Sequence, residues 1–198
     1  MENPVALLIR HGHDQLSDAD VFVSWTDVPL TDEGREQGRA AKEFLDQFDI
    51  QLVYSSPLIR SIEMAEMLDM EVRQERALLP WNRGVMTGVR QEEGKDALGL
   101  FSVNPDVRIP GGESRREAED RIETFFTPAL RAAESKTTAF FTHHSVIDLL
   151  NGLLKGERDE EPENLVKTGG VVGVFVDGDS YCLEPLLRAD KKATSAMS

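Results

Sequence analysis

The chain has 198 residues, enough for one domain with a sizeable core, and its 40% hydrophobic and 29% charged content is that of a globular protein. A net charge of −14 at pH 7 argues against sequence-independent binding to nucleic acid or to an anionic membrane, both of which need basic surface. No apolar run approaches the ~20 residues that span a bilayer. The start of the chain leads almost directly into a strand, so no secretory signal is expected. The single cysteine, Cys182, permits no internal disulfide and fits a reducing cytoplasm.

Taken in chain order, Val5–Ile9 is a continuous apolar run that reads as a fully buried strand. Thr31 can cap a helix over Asp32–Phe48, weakened by Gly34 and Gly38. Leu52–Tyr54 is a second strand, and Pro57 can open a second helix to about Leu68. Residues 81–110 show little periodicity and read as an insertion or lid over the strand ends. Ser114 precedes a charged helix to about Glu134, in which Pro128 predicts a kink or break. Thr138–Thr142 is a strand and Val146–Leu154 a short apolar helix. Val171–Val176, the turn residues Asp177-Gly178-Asp179, and Tyr181–Leu183 form a hairpin. Strands alternating with helices predict an α/β fold, a three-layer α/β/α sandwich whose mostly parallel sheet ends in an antiparallel hairpin. Residues 1–187 then form one domain, with 188–198 as a polar, flexible tail.

The chemistry concentrates where strands end. In an open α/β sheet, ligands bind beyond the carboxyl ends of the strands. The first strand runs into Arg10-His11-Gly12, and Thr138–Thr142 runs into His143-His144-Ser145. All four histidines of the chain, His11, His13, His143 and His144, lie in these two segments. Ser55-Ser56-Pro57-Leu58-Ile59-Arg60 follows the second strand and places Arg60 near the positive end of a helix. Against a net negative surface, such a cluster reads as a local cationic pocket for a phosphate. The histidines fall in neighbouring pairs too close for common zinc spacings, so neither a metal nor another cofactor is expected.

Five segments in order resemble the histidine phosphatase superfamily, and more narrowly its phosphoglycerate-mutase-like branch. They are Arg10-His11-Gly12, the stretch Asp27-Val28-Pro29-Leu30-Thr31 with its continuation to Gly38, Ser55–Arg60, Pro110-Gly111-Gly112-Glu113-Ser114, and Thr142-His143. The resemblance runs from about Leu7 to Leu183. It implies that His11 is a nucleophile that forms a phosphohistidine, and that Arg10, Arg60 and His143 bind the phosphoryl oxygens. Gly12, Ser17, His144 and Arg83 are further candidates for substrate binding. The expected partner is a small phosphorylated metabolite or a phosphoprotein.

The pattern breaks at the acid. The family usually carries a glutamate in a Leu-x-Glu-x-x-x-Gly segment, where it protonates the leaving oxygen. The matching stretch here is Leu78-Leu79-Pro80-Trp81-Asn82-Arg83-Gly84, and proline cannot donate a proton. Three accounts stay open: another donor, with His144, Glu92 and Glu93 as candidates; a substrate whose leaving group needs little help; or a weak enzyme or phosphate-binding module. Asp14 also departs from the pattern, because a carboxylate beside a phosphate is unfavourable unless protonated or paired. Phosphatase is the expected activity, with a mutase-type phosphotransferase as the alternative.

Overall fold

The computed structural model describes residues 3–157 and 165–188. Six strands form one sheet: β1 (Ala6–Arg10), β2 (Leu52–Ser55), β3 (Val72–Gln74), β4 (Thr138–Thr142), β5 (Val171–Asp177) and β6 (Ser180–Leu187). Their spatial order is β3-β2-β4-β1-β5-β6. The first four are mutually parallel, β5 runs antiparallel to β1, and β6 closes the hairpin. Five helices complete the α/β fold: α1 (Asp32–Leu45), α2 (Ile59–Ala65), α3 (Gln91–Val103), α4 (Arg115–Ala133) and α5 (His144–Lys155).

The alternation of β1 builds the layers. Ala6 and Leu8 face a core that includes Ile122, Phe126 and Leu130 of α4 and Ile147 and Leu150 of α5. Leu7 and Ile9 face the opposite core, with Ala41 and Leu45 of α1 and Met64 and Ala65 of α2. Such two-faced burial is why the parallel strands read as unbroken apolar runs.

Three local expectations are corrected, and one strand is unanticipated. Pro128 neither breaks nor ends α4, which runs through it. The proline stands on the exposed side, where water can satisfy the carbonyl it frees, while Ile122, Phe126 and Leu130 hold the inner side. The segment 81–110 contains α3, whose packing is shallow enough that Gly94 is its only buried residue. The rest of that segment is tied to the core by Trp81, Met86 and Ile109. The short edge strand β3 carries no apolar alternation to announce it. Helix α1 stops at Leu45 and α2 begins at Ile59, both shorter than expected. The tail beyond residue 188 lies outside the described residues.

Gly34 is more than a weak point of α1. A Cβ there would lie 2.0 Å from the carbonyl oxygen of His13, and one on Gly12 would lie 2.5 Å from that of Gly34. These two glycines let the loop after β1 lie directly on the first turn of α1. Thr31 secures the same junction. It caps α1 by accepting from Gly34 N at 3.2 Å, and its amide donates to His13 O at 3.0 Å.

Candidate active site

Register brings the two histidine segments together. Arg10 pairs with Thr142 across β1 and β4, and His11 N donates to Thr142 O at 3.0 Å. The next residues, His11 and His143, therefore stand side by side with ring centroids 5.0 Å apart. The loop after β2 is pinned alongside by Ser56 N to Phe141 O, 2.9 Å. Asp27 accepts from Ile59 N at 2.7 Å and so caps α2, whose first turn presents Arg60.

The resulting cleft has a volume of about 320 Å³ and is lined by Arg10, His11, His13, Asp14, Ser17, Arg60, Pro80, Arg83, His143 and His144, among others. A larger cavity, about 490 Å³, opens between α4, α5 and the β5–β6 turn and contains no histidine.

Hydrogen bonding fixes how the imidazoles face the cleft. His11 Nδ1 lies 2.8 Å from the Gly12 carbonyl, which can only accept, so Nδ1 carries the proton and Nε2 keeps its lone pair. His143 Nε2 contacts Ser56 Oγ at 2.9 Å, and its buried Nδ1 has no partner. Arg10 Nη1 donates to Val166 O at 2.9 Å, leaving Nε buried and unpaired. Arg60 donates through Nη1 to Thr26 O (2.8 Å) and through Nη2 to Ser24 O (3.0 Å), and its Nε also lacks a hydrogen bond. Unsatisfied buried polar atoms are costly and rare, and three of them belong to residues that line the same cleft as His11.

Electrostatics keep that nitrogen unprotonated. Burial, then Arg60 and Arg10, hold the His11 pKa well below the usual imidazole value. Burial and Arg60 do the same to His143. His144 is depressed to about 3 by burial and then by Arg10, Arg83 and Arg60. Burial lowers Arg60 to about 10, with Asp14 and Asp27 opposing. Asp14 is fully buried, with Oδ2 at 3.5 Å from Arg60 Nε and 3.8 Å from His11 Nδ1. The awkward carboxylate is therefore paired.

The other expected residues divide. Ser17 lines the cleft but is tied to Asp14, donating to Oδ1 at 3.0 Å. Gly12 turns its amide toward Met64 Sδ, not toward the cleft. Glu92 and Glu93 stand exposed on the first turn of α3; Glu93 pairs with Arg90 at 3.0 Å, and neither lines the cleft, which takes Gln91 instead. Pro80 is at the cleft wall, its carbonyl accepting from Trp25 Nε1 at 2.8 Å. Sequence reasoning missed Ser24, whose carbonyl holds Arg60 and whose hydroxyl accepts from Arg83 N at 2.9 Å. Its backbone φ of 51° is unusual for a residue other than glycine, and no motif announces it. Among the described residues, no group of three or more His, Cys, Asp or Glu side chains is arranged to hold a metal ion. Among the same residues, no helix is long and apolar enough to cross a membrane.

Fold and cleft thus define an α/β protein with an arginine- and histidine-lined site at the carboxyl ends of its central parallel strands. Residues 6–182 match the model of the histidine phosphatase superfamily (branch 1), and the chain belongs to that family. It is 26% identical over 180 residues to a 2,3-bisphosphoglycerate-dependent phosphoglycerate mutase of Methylobacterium radiotolerans, covering 82% of this chain and 85% of that protein. It is 27% identical over 151 residues to an acid phosphatase of Mycobacterium tuberculosis, covering 72% of this chain and 71% of the relative. The crystal structure of a phosphoglycerate mutase from Thermus thermophilus superposes with a TM-score of 0.70 at 27% identity, over 94% of this chain and 99% of that one.

Proposed function

We propose that this protein is a phosphatase that hydrolyses phosphomonoesters or related phosphoryl compounds through a phosphohistidine on His11. The observation that carries the reading is the set of buried nitrogens without a hydrogen bond, Arg10 Nε, Arg60 Nε and His143 Nδ1, on residues that line one cleft with His11, whose Nε2 keeps its lone pair. In the first step Nε2 attacks phosphorus, the ester P–O bond breaks, and its electron pair leaves on the oxygen. In the second step water attacks the same phosphorus, the N–P bond breaks, and Nε2 regains its lone pair while the proton of the water goes to solvent. The two guanidinium groups and the His143 ring stabilise the equatorial oxygens in both steps. The acid phosphatase relative supports hydrolysis.

Pro80 bears on the choice between hydrolysis and the mutase reaction of other relatives. Neither step finds a carboxylic acid where the family places one. His144 is in the cleft, but burial and the neighbouring Arg10, Arg83 and Arg60 disfavour its charged form in the empty site. The departing oxygen then carries its charge unaided. Activity is expected to favour aryl phosphates, acyl phosphates and phosphohistidine over sugar or glycerate phosphates. A panel graded by leaving-group pKa tests this, since general acid catalysis is worth ~10²–10⁴-fold. A steep decline of kcat/KM with leaving-group pKa is expected. A flat profile would show that a donor exists, and its conversion to a steep one in His144→Ala would identify His144.

A further inference from the structure

Arg83 is a half-buried cation with no carboxylate paired to it among the described residues. Its guanidinium carbon sits 4.9 Å from the ring centroid of Phe22 and 5.2 Å from that of Trp81, so two aromatic rings clamp it. Its Nη1 is buried and has no hydrogen-bond partner. Three other arginines of low exposure each have a carboxylate near: Arg115 pairs with Glu119 at 2.8 Å, Arg60 lies by Asp14, and Arg10 feels Asp148 and Asp14. Among the described residues, none pairs with Arg83. Burying a charge unpaired is expensive, and here the unpaired group lines the cleft.

It reaches the cleft from a different part of the chain than the other two arginines there. Arg83 enters from the loop after Pro80, whereas Arg10 ends β1 and Arg60 lies on the first turn of α2, and all three line one cleft. Arg83 also stands three residues after Pro80, and both line the cleft. We propose that Arg83 is a specificity residue that binds a second anionic group, carried on the leaving part of the substrate. The aromatic clamp removes the rotamer freedom that an arginine otherwise loses on binding. The proposal rests on the reading of the cleft as a phosphatase site and adds the substrate class: phosphoryl compounds whose leaving group is itself anionic.

Phenyl phosphate and 3-carboxyphenyl phosphate release phenols of nearly equal acidity and differ by one carboxylate. The protein is expected to favour the carboxylated ester by about tenfold or more in kcat/KM, as a charge-assisted hydrogen bond allows. In Arg83→Met that ratio should collapse to about one, and in Arg83→Lys it should fall between. Equal kcat/KM for the two esters in the unsubstituted protein, or a preference that survives Arg83→Met, would overturn the proposal. Calorimetric titration of both esters into His11→Ala and into His11→Ala/Arg83→Met reads the same preference without turnover. If neither ester is hydrolysed, the phosphatase reading fails. The calorimetric ratio then still decides Arg83: a preference lost with the arginine supports it, and equal binding defeats it.

Discussion

Asp14→Asn should make the protein less stable and a better binder of oxyanions. Asparagine keeps Oδ1, which accepts from Leu16 N and Ser17 Oγ, both at 3.0 Å, so the loop is retained. It removes the charge facing Arg60 Nε at 3.5 Å and His11 Nδ1 at 3.8 Å. Removing one partner of a buried ion pair typically costs ~3–5 kcal/mol. Arg60 keeps two backbone carbonyls as acceptors, and the pair is not tightly hydrogen-bonded, which reduces the figure to about 2 kcal/mol. For a chain of this length that is ~4–8 °C in Tm. The opposite effect falls on ligand. A unit negative charge ~5 Å from a bound oxyanion repels it by ~3 kcal/mol at an effective dielectric constant of about 20. Phosphate and vanadate should therefore bind on the order of 100-fold more tightly to the variant. Thermal unfolding with and without vanadate measures both effects, and competitive inhibition by phosphate checks the second. If the variant melts with the unsubstituted protein and gains nothing from oxyanion, the view of Asp14 as the resident counter-ion of this site is wrong.

Three further outcomes are expected. His11→Ala should abolish turnover while leaving the fold intact, and no labelled phosphoryl group should be trapped on it; near-normal steady-state rates in the pure variant would exclude His11 as the nucleophile. The histidine pKa values fix a pH dependence of stability: His11, His143 and His144 are depressed in the folded state, so the unfolded chain binds more protons below about pH 6.5. Each group then subtracts up to about 1.4 kcal/mol of stability per pH unit as pH falls below that value, and denaturant midpoints that stay level from pH 7 to pH 5 would contradict the assignment. Gly34→Ala should destabilise by ~1–3 kcal/mol, because its Cβ would meet a backbone oxygen at 2.0 Å, although ordinary helix propensity favours alanine by about 1 kcal/mol; a raised Tm would show that the loop after β1 yields.

Much of the architecture was written in the chain. Strands buried on both faces show as apolar runs, so Val5–Ile9, Thr138–Thr142 and Val171–Val176 were legible without a structure. The residues beyond them were legible as a site because they are the wrong residues for a strand interior: arginine, histidine and glycine stand where the apolar run stops. What local sequence could not carry was whatever depends on contacts far along the chain. Pro128 reads as a break, and only the packing of Ile122, Phe126 and Leu130 keeps α4 whole around it. Glu92 and Glu93 read as acids near the cleft, and only the orientation of α3 turns them to solvent. Asp14 reads as a conflict with phosphate until Arg60, 46 positions away, is found against it. Ser24 carries no signal, because it acts through a backbone carbonyl, an unusual φ and a hydroxyl that meets Arg83 N, 59 positions along the chain. Sequence determines which groups a strand end offers, since that follows from periodicity and composition. Tertiary structure decides which of them face one another, because charge pairing and burial depend on distances that only the folded chain sets.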